Sequence, residues 1–134
     1  MAGYSENPLV KKLGLKAGAT VYIHQSPSEY LDWLFPLPDK ISFQEKCKGE
    51  LDFIHLFVKQ QKEFQFAFMN GKKHLKINGM MWISWPKKSS KVVTDLDENI
   101  IREFGLKGGL VDVKVCAVSE VWSGLKFVFR LADR

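Results

Sequence analysis

The sequence predicts an open, three-layer α/β sandwich, and three observations carry that expectation. Short β-branched or apolar runs alternate with segments of helical periodicity. One run, LDFIHLFV from Leu51 to Val58, is almost wholly apolar, as befits a strand covered on both faces in a parallel sheet. The last two runs, VDVKVCAV and LKFVFRL, alternate polar with apolar residues, the pattern of half-exposed antiparallel strands.

The elements follow in order. Asn7 is placed to cap a short helix whose first residue is Pro8, and Gly14 supplies its left-handed stop. TVYIHQ, Thr20 to Gln25, is the first strand. Ser26 and Glu29 are spaced as a capping box, opening a helix that must end before Pro36. ISFQE forms a second strand ending near Glu45, and LDFIHLFV a third. Phe64, Ala67, Phe68, Gly71 and Leu75 recur at helical spacing. Gly79 introduces the buried strand GMMWISW. Thr94 is placed to cap a helix carrying Leu96, Ile100, Ile101 and Phe104, which Gly105 should end. The final hairpin is expected to turn at Trp122-Ser123-Gly124 and to set Asp112 opposite Arg130. Right-handed crossovers and short loops give a mostly parallel sheet in the order 2-1-3-4-6-5, with the last strand antiparallel.

At 134 residues the chain fits a single domain, 1–134, and buries roughly two-thirds of its unfolded surface. Hydrophobic residues at 46% and charged residues at 26% exclude extended disorder. The longest apolar run, Met80 to Ile83 extended by Trp85, falls far short of the roughly 18 residues that span a bilayer. MAGYSENPLVKK sets polar residues where a signal peptide needs an apolar stretch, so a cytoplasmic location without membrane attachment is expected. Cys47 and Cys116 lack a CxxC or a nearby His at ligand spacing, which predicts two reduced thiols and no metal site. A net charge of +5 with interspersed acids argues little for nucleic acid, since no aromatic-basic stripe accompanies it.

Two resemblances add to this. AGYSENPLVKKLGLKAG, PLPDKI, LDFIHLFV, WISWPKKSS, TDLDENIIREFGLKGGLVDVKVCAV and WSGLKFVFR resemble an uncharacterised family of small bacterial proteins, catalogued as a domain of unknown function, over nearly the whole chain. More distantly, LGLKAGATVYI, LDFIHLFV and LKINGMMWISWP resemble the first, fourth and fifth strands of class I methyltransferases, implying a Rossmann-like fold. The chain departs from that pattern at HQSPSE, where the family carries an acidic residue and a glycine-rich turn. It departs again at VKQQ, where amino-methylating members carry an Asn/Asp-Pro-Pro-aromatic tetrapeptide.

Ligands in such sheets lie beyond the carboxyl ends of the strands, here Gln25 to Glu29, Lys59 to Gln61 and Pro86 to Val93. The stretch WPKKSSKVVTDLDE lacks the glycines of a phosphate cradle, and Asp95, Asp97 and Glu98 already complement the following helix dipole. His24 and His55 lie on neighbouring strands. With no visible orienting partner or nucleophile elbow, core histidines are the preferred expectation over a catalytic pair, and His74 reads as a surface residue. No catalytic residue and no resident cofactor are assigned. The leading expectation is therefore a non-catalytic module binding an anionic small molecule or a protein partner through Trp85, Lys87, Lys88, Ser89 and Ser90. The alternative is a degenerate methyltransferase, with S-adenosylmethionine or a nucleotide in a cleft lined by Gln25, Ser26, Ser28 and Glu45.

Overall fold

The computed structural model describes residues 8–134. The chain runs α1 (Leu9–Leu13), β1 (Thr20–His24), α2 (Tyr30–Leu34), β2 (Ser42–Gln44), β3 (Leu51–Phe57), α3 (Gln61–His74), β4 (Leu75–Pro86), α4 (Glu98–Lys107), β5 (Leu110–Ala117) and β6 (Trp122–Phe129). Single 3-10 turns form at Lys88–Ser90 and Leu131–Asp133. The six strands make one sheet in the predicted order, β2-β1-β3-β4-β6-β5. β2, β1, β3 and β4 are parallel, whereas β6 runs antiparallel to both β4 and β5.

Strand alternation divides the core between the two sheet faces. Ile54 and Leu56 of β3 join Met81, Ile83 and Trp85 of β4 beneath Phe64 and Phe68 of α3 and Ile101 of α4. On the opposite face Phe53, Phe57 and Trp82 meet Leu13 of α1 and Tyr30 and Leu34 of α2. Each such large side chain, once buried, contributes about 1.5–3 kcal/mol. Trp82 also donates its indole N–H to the Leu13 carbonyl at 2.8 Å, tying α1 to the sheet. β3 is covered on both faces because it lies inside the sheet under both helix layers, as its apolar run predicted.

Several local expectations are corrected by packing. Asn7 lies outside the described residues; Pro8 occupies the position before α1, and Gly14 at φ 79° ends that helix as expected. The Ser26–Glu29 capping box does not form. α2 starts only at Tyr30, whose N–H is satisfied by the Pro27 carbonyl, and Ser28 bonds the Glu29 carboxylate instead. Leu75 and Gly79 both belong to β4, which follows α3 without a loop. A Cβ on Gly79 would stand 2.9 Å from the Asp52 carbonyl, so glycine serves the close approach of β4 to β3. Gly105 does not end α4 but sits inside it, against Phe127, and the helix continues to Lys107.

The hairpin differs too. Trp122, Ser123 and Gly124 are strand residues of β6, and the turn is made by the preceding residues, where Ser119 Oγ accepts the N–H groups of Val121 and Trp122. Trp122 is buried edge-on against Phe57, at 5.1 Å between ring centroids. Asp112 pairs in register with Phe127, not Arg130, and its carboxylate accepts from Arg102 Nε at 2.9 Å. Arg130 instead donates to the Leu106 carbonyl.

Candidate functional site at the carboxyl ends of the strands

β1, β3 and β4 end on one rim, and the segments that follow them are knitted together there. Lys59, just past β3, receives the Thr94 hydroxyl and the Asp95 N–H on its carbonyl. Asp95 in turn caps α3: its carboxylate accepts the Gln61 N–H at 2.8 Å, and its carbonyl accepts from Gln61 Nε2. Thr94 is thereby diverted, and Asp97 caps α4 by accepting the Ile100 N–H at 2.9 Å. One acidic loop thus serves two helix starts.

The basic stretch is taken apart by the fold. Trp85 is only 6% exposed and packs with Leu96 in the α3–α4 face of the core, so it cannot flank a ligand beside the lysines. Ser90 is consumed by the 3-10 turn, donating to the Lys87 carbonyl at 2.6 Å and accepting the Val92 N–H. Lys91, at φ 63°, closes that turn. Lys87 is tied through its N–H to the Val121 carbonyl at 2.8 Å. Only Lys88 and Ser89 of the predicted set stand exposed.

The other predicted set follows two neighbouring strands. Gln25 follows β1 directly in the left-handed conformation, φ 52°, and Gln25, Ser26 and Ser28 are exposed. Glu45 follows β2 directly, one residue past the register pair Tyr22–Gln44, and is also exposed. A carboxylate thus stands at the end of β2, beside a turn carrying one amide and two hydroxyls.

The two predicted histidines separate. His55 is fully buried, with Nδ1 2.7 Å from the Tyr30 hydroxyl and Nε2 2.7 Å from Ser84 Oγ. Its ring stacks on Phe57, and burial pushes its pKa down to about 3, so it is a neutral core residue. His24 is at the rim instead. The Tyr22 hydroxyl lies 3.1 Å from Nδ1, while Nε2 is buried without a hydrogen-bond partner, 3.6 Å from Glu63 Oε2. Burial, then Cys47, raises the Tyr22 pKa above its ordinary value. Hydroxyl, imidazole and carboxylate therefore lie in a row, hydrogen-bonded on the Tyr22 side and within ion-pair distance on the Glu63 side. Sequence reasoning missed Tyr22 and Glu63. The alternation Tyr22-Ile23-His24 placed both rings on one face, but nothing local linked Glu63 to them.

Cys47 and Cys116 are unpaired thiols whose pKa values burial pushes up. Among the described residues no group of three or more His, Cys, Asp or Glu side chains could hold a metal ion. No helix among them is long and apolar enough to cross a membrane.

Comparison with solved structures shows what this architecture resembles. The chain superposes on a ribosomal-protein methylase from Lactobacillus delbrueckii with a TM-score of 0.63 and 13% identity, over 91% of this chain and 75% of that one. It matches a precorrin methyltransferase from Geobacter metallireducens with a TM-score of 0.63 and 9% identity, over 91% and 86%. A magnesium protoporphyrin IX methyltransferase from Synechocystis, solved with S-adenosylmethionine bound, gives 0.61 and 12%, over 91% and 74%. At these identities the likeness establishes the fold, the Rossmann-like sheet of class I methyltransferases. No protein-family model and no curated protein matches the sequence, so the resemblance to small bacterial proteins of unknown function gains no support.

Proposed function

We propose that this chain is an S-adenosylmethionine-binding domain of the methyltransferase type, which makes the degenerate-enzyme alternative the better reading. The observation that carries it is the conjunction of this sheet order with a carboxylate at the end of β2, next to a polar turn after β1. The residues present fit the group. Glu45 is suited to accept both ribose hydroxyls, and Ser26, Ser28 and Gln25 offer hydroxyl and amide groups to the amino-acid end. The left-handed Gln25 gives the β1–α2 turn a conformation that glycine supplies elsewhere, although its side chain keeps a ligand farther from the backbone. When bound, the cofactor supplies an electrophilic methyl group. The chain's own part is to orient it, and to hold at His24, between Tyr22 and Glu63, a proton given up at the same rim.

The anion-binding reading at Lys87–Ser90 is left with Lys88 and Ser89 as its exposed groups. Isothermal titration with S-adenosylmethionine and S-adenosylhomocysteine tests the proposal. Saturable binding is expected that weakens at least tenfold in Glu45→Ala and is unchanged when Lys87 and Lys88 are both replaced by Ala. Absence of binding at millimolar cofactor, or binding that depends on the lysines and not on Glu45, would overturn it.

A further inference from the structure

The face of the β5–β6 hairpin that lies beside α1 carries an unexplained concentration of positive charge. The register sets Lys114 directly opposite Lys126, and like charges in that position repel across an antiparallel pair. Among the described residues neither is within ion-pair distance of a carboxylate; the lysine and arginine pairs there are Lys76–Asp52, Arg102–Glu98 and Arg102–Asp112. Lys114 Nζ is anchored on the Lys12 carbonyl at 3.0 Å, which brings it to the carboxyl end of α1. Lys126 Nζ reaches the same place, 3.5 Å from where a Cβ on Gly14 would stand.

Two residues after Gly14, Lys16 enters the wall of a cavity of about 240 Å³ that is also lined by Gly14, Gly18, Asn78, Met80 and Asp52. The Asp52 charge is already matched, by Lys76 at 3.2 Å and by the Thr20 N–H at 2.8 Å. Burial, reinforced by Lys114 and Lys16, holds the Lys126 ammonium below its ordinary pKa, as expected where cations converge.

We propose that Lys114, Lys126 and Lys16 form a binding site for a small phosphoryl-type oxyanion, seated against Gly14 at the mouth of this cavity. Three flexible ammonium groups, each with three donors, suit a compact multivalent anion. Gly14 matters because any side chain there would point at Met80 Sδ, 3.3 Å from a Cβ, and Lys126 Nζ, taking the space the anion needs. The next residue of β5 on that face is the buried Cys116, not an aromatic ring on which a base could stack, which favours a small anion over a nucleic acid. The site lies at the opposite end of β1 from Glu45 and stands independently of the cofactor reading.

Titration calorimetry with inorganic pyrophosphate at 150 mM salt, where weak surface pairing is screened, tests the site. Saturable binding is expected. Lys114→Met and Lys126→Met, which keep the aliphatic stems, should each weaken it at least tenfold, and Lys88→Met should leave it within twofold. Should either variant fold poorly, the unmodified protein still decides: pyrophosphate should shift the backbone amide resonances of Gly14–Gly18, Lys114 and Lys126. No saturable binding, equal binding by the methionine variants, or shifts confined to other residues would overturn the proposal. So would tighter binding of a single-stranded oligonucleotide at the same salt.

Discussion

At the scale of single residues, His55 and His24 show how position decides what one side-chain type does. His55 is sealed in the core between Tyr30 and Ser84, and burial keeps its pKa at about 3. An unfolded chain carries an ordinary histidine that titrates near pH 6.5. Above that value both states are neutral, and the bonds of His55 act in full. As pH falls from about 6.5 toward 3, the unfolded chain binds a proton that the folded one refuses. Stability is then lost at up to ~1.4 kcal/mol per pH unit from this residue. Urea unfolding between pH 7.5 and 4.5 should register that decline, and His55→Gln should be less stable at pH 7.5 with a shallower decline. Identical slopes in the two proteins would assign acid sensitivity to other groups. His24, at the carboxyl end of β1, instead lies between the Tyr22 hydroxyl and the Glu63 carboxylate.

At the scale of elements, the starts and ends of helices depended on neighbours that a linear pattern does not contain. Gly105 is the sharpest case. In an exposed helix, Ala in place of Gly gains about 1 kcal/mol. In α4 the added Cβ would lie 2.1 Å from Phe127 Cε1, and the Phe127 ring is itself hemmed in edge-on by Phe68. Gly105→Ala should therefore destabilise the protein by about 1–3 kcal/mol in chemical denaturation, against the direction of helix propensity. A stabilised variant would mean that α4 lifts easily from β6. The same logic explains the caps. The α4 helix takes Asp97 rather than Thr94 because Thr94 and Asp95 are committed to Lys59 and to the start of α3.

At the scale of the whole molecule, the sheet is most securely held in its middle. β3 and β4 are covered by both helix layers, whereas β2 is a three-residue edge strand whose Phe43 is 43% exposed. Amide hydrogen exchange should be slowest in β3 and β4 and fastest in β2, because local opening costs least where few buried contacts break. Protection of β2 equal to that of β3 would reveal a covering partner at that edge. The same gradient suits the proposed function, since the polar turn after β1 and Glu45 after β2 lie on the less constrained side of the sheet, where a ligand can be admitted.

Much of this was legible in the sequence, for a physical reason. Strand type, the double burial of β3, the α1 stop at Gly14 and the sheet order all follow from side-chain periodicity, turn chemistry and crossover handedness, which act over short stretches of chain. Gln25, Ser26 and Ser28 could be placed after β1, and Glu45 after β2, because the direction of each strand was already implied. What only the tertiary structure decided were encounters between distant segments. Trp85 turned into the core, Glu63 met His24, Asp95 capped α3, and Lys114 came to face Lys126. These depend on register and on which helix packs over which strand, and a one-residue change in register would reverse the face that each side chain occupies.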